Sequence, residues 1–143
     1  MKIFILAICF IAAGFSASAQ CDRSVILQSV TGRSVQGDTR DRDMTIEATA
    51  QVSKEKIVLI ITLGGKTSTI TNTINQVTTC DWKEYLVNGK TIYKVTTDKG
   101  DGHTEPSIIR LTSKNGKTTM YFGSDPDTDG GLELDVTETK STN

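Results

Sequence analysis

Three turn dipeptides, each followed by the same Lys-Thr pair, constrain this chain more than any other feature. Gly64-Gly65-Lys66-Thr67, Asn88-Gly89-Lys90-Thr91 and Asn115-Gly116-Lys117-Thr118 each interrupt two strand-like runs. Gly-Gly and Asn-Gly favour two-residue hairpin turns, because such turns need positive φ at both central positions. The runs between them are rich in Thr, Ile and Val, which fit a pleated, half-buried surface. No segment shows an amphipathic helical period. The pattern predicts strands at Val25–Val30, Met44–Val52, Ile57–Leu63, Lys66–Ile74, Val77–Val87, Lys90–Thr97, Ser107–Lys114, Lys117–Gly123 and Gly131–Glu138. Thr31–Asp43, Asp98–Pro106 and Ser124–Gly130 read as loops, and the residues beyond Thr139 as a frayed tail.

An all-β antiparallel meander of about eight to nine strands follows, closed as a small barrel, with a two-sheet β-sandwich as the alternative. Closure removes the exposed edges that so β-prone a chain must otherwise manage. A two-residue turn at Asn88-Gly89 would set Leu86 opposite Thr91 and Glu84 opposite Tyr93. One face then carries Cys80, Trp82, Glu84, Leu86, Tyr93 and Val95. In the next hairpin, Ile109, Leu111, Met120 and Phe122 share the face to be buried. The strand Ile57–Leu63 is apolar on both faces apart from Thr62, so it is either covered twice or part of a contact surface.

The first 19 residues read as a secretory signal. Lys2 supplies a positive charge, Ile3 to Phe15 is almost unbroken apolar sequence, and Ala17-Ser18-Ala19 offers small residues before a cut at Gln20. The apolar run falls short of the ~18 residues that span a bilayer. Acylation of Cys21 is the competing reading, and Gln20 is larger than the residue that such processing takes before its cysteine. This leader resembles those of bacterial envelope exports, which implies a secreted or periplasmic protein. Residues 20–143 then form a single domain whose two cysteines, Cys21 and Cys80, form a structural disulfide in an oxidising compartment.

Composition narrows the function. The whole chain has 16 basic and 17 acidic residues and a net charge of −1, which excludes a strongly basic nucleic-acid binder or a polybasic membrane-surface protein. At 36% hydrophobic and 23% charged it is a folded globular sequence. The repeated Gly-Lys-Thr is not a phosphate loop: that motif needs an earlier glycine, where Ile60, Glu84 and Leu111 stand, and a helix afterwards.

Two places could carry chemistry. Asp125, Asp127 and Asp129 followed by Gly130 match the opening of a calcium loop, and Glu133 falls at its ninth position. The match to an EF-hand-type loop then breaks, because Val136 stands where the bidentate glutamate belongs. A weaker calcium site and a plain Asp-Gly turn are the two readings. The second place is the inward face of the Asn88-Gly89 hairpin, where Trp82 and Tyr93 would wall a small-ligand cavity and Glu84 would anchor the ligand. The only histidine, His103, sits in a glycine-rich loop without a nucleophile elbow, and the sequence reads as non-enzymatic.

In strand count and length the chain resembles the lipocalin-type class, without a Gly-x-Trp at its first strand. That resemblance implies a small apolar ligand held in a barrel cavity. The alternative is a structural or inhibitory protein that binds another envelope or secreted protein through a sheet face.

Overall fold

The computed structural model describes residues 20–124 and 130–142. Nine strands follow in chain order: β1 (Val25–Gln36), β2 (Thr39–Arg40), β3 (Met44–Val52), β4 (Lys56–Leu63), β5 (Lys66–Glu84), β6 (Asn88–Asp98), β7 (Thr104–Lys114), β8 (Lys117–Gly123) and β9 (Gly131–Ser141). Each strand from β3 onward pairs antiparallel with its successor, and β1 pairs with both β3 and β9. The sheet therefore closes into an eight-stranded barrel, with the two-residue β2 as an extra strand beside β1. The meander is the one expected, and of the two architectures the barrel is the one formed.

Alternation along the strands fills the inside. Val25 and Leu27 of β1, Ile46, Ala48 and Ala50 of β3, Ile57 and Leu59 of β4, Tyr93 and Val95 of β6, Ile109 and Leu111 of β7, Met120 of β8 and Leu134 of β9 form one buried cluster. Phe122 packs against its edge, so the β7–β8 hairpin buries the face expected of it. β4 contributes Ile57 and Leu59 inward, while Val58 and Ile60 point outward and stay half-buried. Gly32 is part of this packing, since a Cβ there would stand 2.9 Å from the Leu134 side chain and 3.1 Å from Ile46.

Two of the three turn dipeptides do what the sequence predicts. Leu63 pairs with Lys66 around Gly64-Gly65, and Lys114 with Lys117 around Asn115-Gly116. All four turn residues have positive φ, between 51° and 77°. The third does not. Asn88 and Gly89 lie within β6, and the chain turns instead at Tyr85-Leu86-Val87, with Leu86 at φ 59°. Gly89 serves close approach: a Cβ there would meet the Asp81 carbonyl oxygen at 2.3 Å and the Trp82 ring at 2.8 Å. Asn88 serves the neighbouring turn, its Oδ1 accepting from the Asn115 amide at 3.0 Å.

The register correction follows. Thr91 faces Cys80, six positions before the expected Leu86. Six is even, so Cys80, Trp82 and Tyr93 keep the face predicted for them. Glu84 does not: a bulge between Trp82 and Glu84 adds one residue to β5 and leaves Glu84 exposed.

Three further boundaries differ from expectation. The two strands predicted at Lys66–Ile74 and Val77–Val87 are one 19-residue strand, which passes through its polar middle on bulges. Much of the loop predicted at Thr31–Asp43 is strand, because β1 runs to Gln36 and folds back through β2. The predicted frayed tail is also strand, with Thr139, Lys140 and Ser141 paired to Leu27, Ile26 and Val25.

Candidate functional site

The end of the barrel beside residue 21 holds Cys21, Cys80 and Trp82 of the residues singled out in the sequence. Cys21 and Cys80 are joined by a disulfide with a Cα–Cα distance of 6.0 Å, which ties residue 21 to β5. Thr91, fully buried on β6, sits under this bond; its Oγ1 lies 3.2 Å from Cys21 Sγ and accepts from Trp82 Nε1 at 2.6 Å. The Trp82 ring makes an edge contact with Tyr85 at 5.1 Å, and the Arg23 guanidinium lies over the other aromatic, Tyr85, at 5.2 Å.

These contacts pack against the core, and an open pocket of about 210 Å³ lies beside them between Arg23, Tyr85, Leu86 and Thr139. Tyr93 is 1% exposed and belongs to the core cluster. Its hydroxyl is buried and makes no hydrogen bond of normal geometry within the protein, as is also true of Tyr85. Burial pushes both phenols above their ordinary value of 10.0; for Tyr93 the neighbouring Tyr85 adds to this and the Thr91 hydroxyl opposes it. One pocket among Leu27, Ala48, Ala50, Met120 and Leu134 has a volume of about 10 Å³. That is at the lower limit for one water and far below the ~300 Å³ of a small-molecule site. Trp82 packs against the core cluster to which Tyr93 belongs, and Glu84 is exposed.

Of the expected calcium ligands, Asp125, Asp127 and Asp129 lie outside the described residues. Glu133 is described, and it is engaged. Its side chain is 8% exposed and receives Arg33 Nη1 at 2.8 Å and Arg40 Nη2 at 3.4 Å. Arg33, the register partner of Glu133, also bonds Asp135 and reaches Asp43 at 2.8 Å. Those carboxylates, Asp135 foremost, hold the Arg33 guanidinium above its ordinary value against the opposing effect of burial. With two guanidinium groups upon it, Glu133 offers little negative potential to a cation. Among the described residues no three His, Cys, Asp or Glu side chains gather as a metal site.

This ion network was not expected, since Arg33, Arg40 and Asp43 fall in the loop predicted at Thr31–Asp43. The available signal was the alternation of Glu133 and Asp135 with Leu132 and Leu134, which sets both carboxylates on one outward row. A second missed feature is polar and internal: Asn72 Nδ2 donates to the Ile57 carbonyl at 3.1 Å, and Thr97 Oγ1 donates to Asn72 Oδ1 at 2.8 Å.

Outside the barrel, the wall made by β3, β4 and β5 differs from the rest. Register sets Thr49, Ile60 and Thr69 side by side, then Gln51, Val58 and Thr71, then Thr62 with Thr67. These outward rows carry methyl, hydroxyl and carboxamide groups, and the charges beside them are Glu47, paired with Thr62, and Lys56, paired with Thr73. Further round, where β5 is bulged, an open cleft of about 640 Å³ is lined by Gln76, Lys94, Ile108 and Ser124 together with the buried Val95 and Ser107.

Comparison with protein-family models, with curated proteins and with solved structures returns no match. The barrel and its disulfide therefore stand on the geometry alone, and lipocalin-type binding gains no support from any relative.

Proposed function

We propose that this chain is an exported, non-enzymatic interaction barrel that binds another envelope or secreted protein through the outward face of β3, β4 and β5. The observation that carries the reading is the filled interior. The inward side chains of Ile57, Leu59, Tyr93, Ile109 and Leu111, each at most 1% exposed, fill the barrel and leave its recognition chemistry to the outside. The uncharged rows around Ile60 and Thr69 supply it: half-buried aliphatic groups among hydroxyls that a partner can dehydrate at modest cost. The Cys21–Cys80 bond supports export, since such bonds persist in oxidising compartments.

A photo-crosslinking residue placed at Ile60 or Thr69, in cells that export the protein, tests this. One defined protein adduct is expected from both positions and none from Arg110 on β7. Ile60→Lys should abolish the adduct obtained from Thr69 while leaving the thermal transition in place. No adduct from β3–β5 overturns the proposal. So does an organic molecule that stays bound through native mass measurement and is lost in Trp82→Ala, an outcome that would restore the ligand cavity.

A further inference from the structure

We propose that Gln20 is a modification site, converted to pyroglutamate once the leader is removed. The inference rests on the export reading above, in which cleavage falls between Ala19 and Gln20. Cleavage there gives Gln20 a free α-amine four bonds from its own side-chain amide carbon. That nitrogen attacks Cδ, the new N–Cδ bond closes a five-membered lactam, and the side-chain nitrogen leaves as ammonia with the proton released by the amine. The step needs no oxidant, reductant or co-reactant.

The structure adds a reason for the product to persist at this position. Cys21 is 6% exposed and covalently tied to Cys80, so residue 20 cannot swing away from the barrel end. Gln20 is itself half-buried, and its Oε1 is buried without a hydrogen-bond partner in the protein. An uncyclised terminus would carry an ammonium on a half-buried residue, where a charge loses part of its hydration. The lactam is neutral, removes that ammonium, and keeps only one carbonyl and one N–H to be satisfied. It also closes the chain to aminopeptidases at the point where the disulfide begins.

The test is the intact mass of the full chain after export, taken before any acid or protease step, with tandem sequencing of the N-terminal peptide. The expected species begins at residue 20, is two hydrogens lighter for the disulfide and one ammonia lighter for the lactam, and has no α-amine that reacts with an acylating label. Gln20→Ala should be exported and cut at the same bond, lose no ammonia and take the label fully. A chain that begins at residue 20 with an intact, labelled glutamine overturns the lactam and leaves export standing. A chain that keeps its leader, or one acylated on Cys21, overturns both.

Discussion

Asn72 and Tyr93 are both buried polar side chains, and they differ in whether their hydrogen bonds are made. Asn72 donates to Ile57 and accepts from Thr97, so its amide ties the insides of β4, β5 and β6. Asn72→Ala leaves a carbonyl and a hydroxyl stranded in the core. The expected loss is about 2–3 kcal/mol, read as a lower denaturant midpoint at unchanged slope. Tyr93 and Tyr85 instead carry buried hydroxyls that make no hydrogen bond of normal geometry within the protein, in an environment that resists their ionisation. Below pH ~10 both phenols are neutral in the folded and the unfolded chain, and they add no pH dependence. Above it the unfolded chain releases protons that the folded chain retains, so stability falls as pH rises. Each phenol held neutral should remove roughly 1.4 kcal/mol per pH unit over that range. Tyr93→Phe should flatten the alkaline slope without lowering stability near neutral pH, as comparison of denaturation midpoints at about pH 8 and about pH 11 will show. Neither role was legible in the sequence. Periodicity says which way a side chain points, and says nothing of whether an oxygen across the barrel will meet it.

At the scale of elements, β5 determines the most. It has 19 residues, of which β4 covers only Lys66 to Thr73. The remainder runs on beside β6 with one side unpaired to β4, an arrangement that invites pairing with other chains. Bulges along this stretch and the charges of Asp81 and Lys83 blunt that edge, and the bond to Cys21 fixes it in place. With its cysteines 59 positions apart in the chain, the bond should contribute about 4 kcal/mol by constraining the unfolded chain. Cys21→Ser/Cys80→Ser should lose about that much, and the wild-type protein under reductant should unfold at the variant's midpoint. The pairing of these cysteines was readable from the expectation that the first 19 residues are a leader. The Asn88-Gly89 turn was misread for a definable reason: glycine serves a positive-φ turn and a close backbone approach equally well. Only the packing of Trp82 over Gly89, and of Asn88 against Asn115, distinguishes the two uses.

The molecule as a whole depends on a seam between its first and last strands. β1 meets β9 over ten paired positions, ending at Val25 opposite Ser141. Removing residues 139–143 should therefore open the seam rather than trim a loose end. A loss of about 2–3 kcal/mol is expected, at roughly 1 kcal/mol for each ladder hydrogen bond, with a concentration-dependent tendency to associate through the uncovered edge. Calorimetry with light scattering on the truncated chain checks both effects. The strand order, the alternation of inward and outward residues, the Gly64-Gly65 and Asn115-Gly116 turns and the cysteine pair were all determined by local sequence, because each depends on φ preference, period two or compartment chemistry. Closure, the six-residue shift of β5 against β6, the exposure of Glu84 and the capture of Glu133 by Arg33 and Arg40 were decided only in the tertiary structure. Each depends on how many residues a bulge inserts, or on which side chains meet across a seam some hundred residues apart in the chain, and no local pattern carries that information.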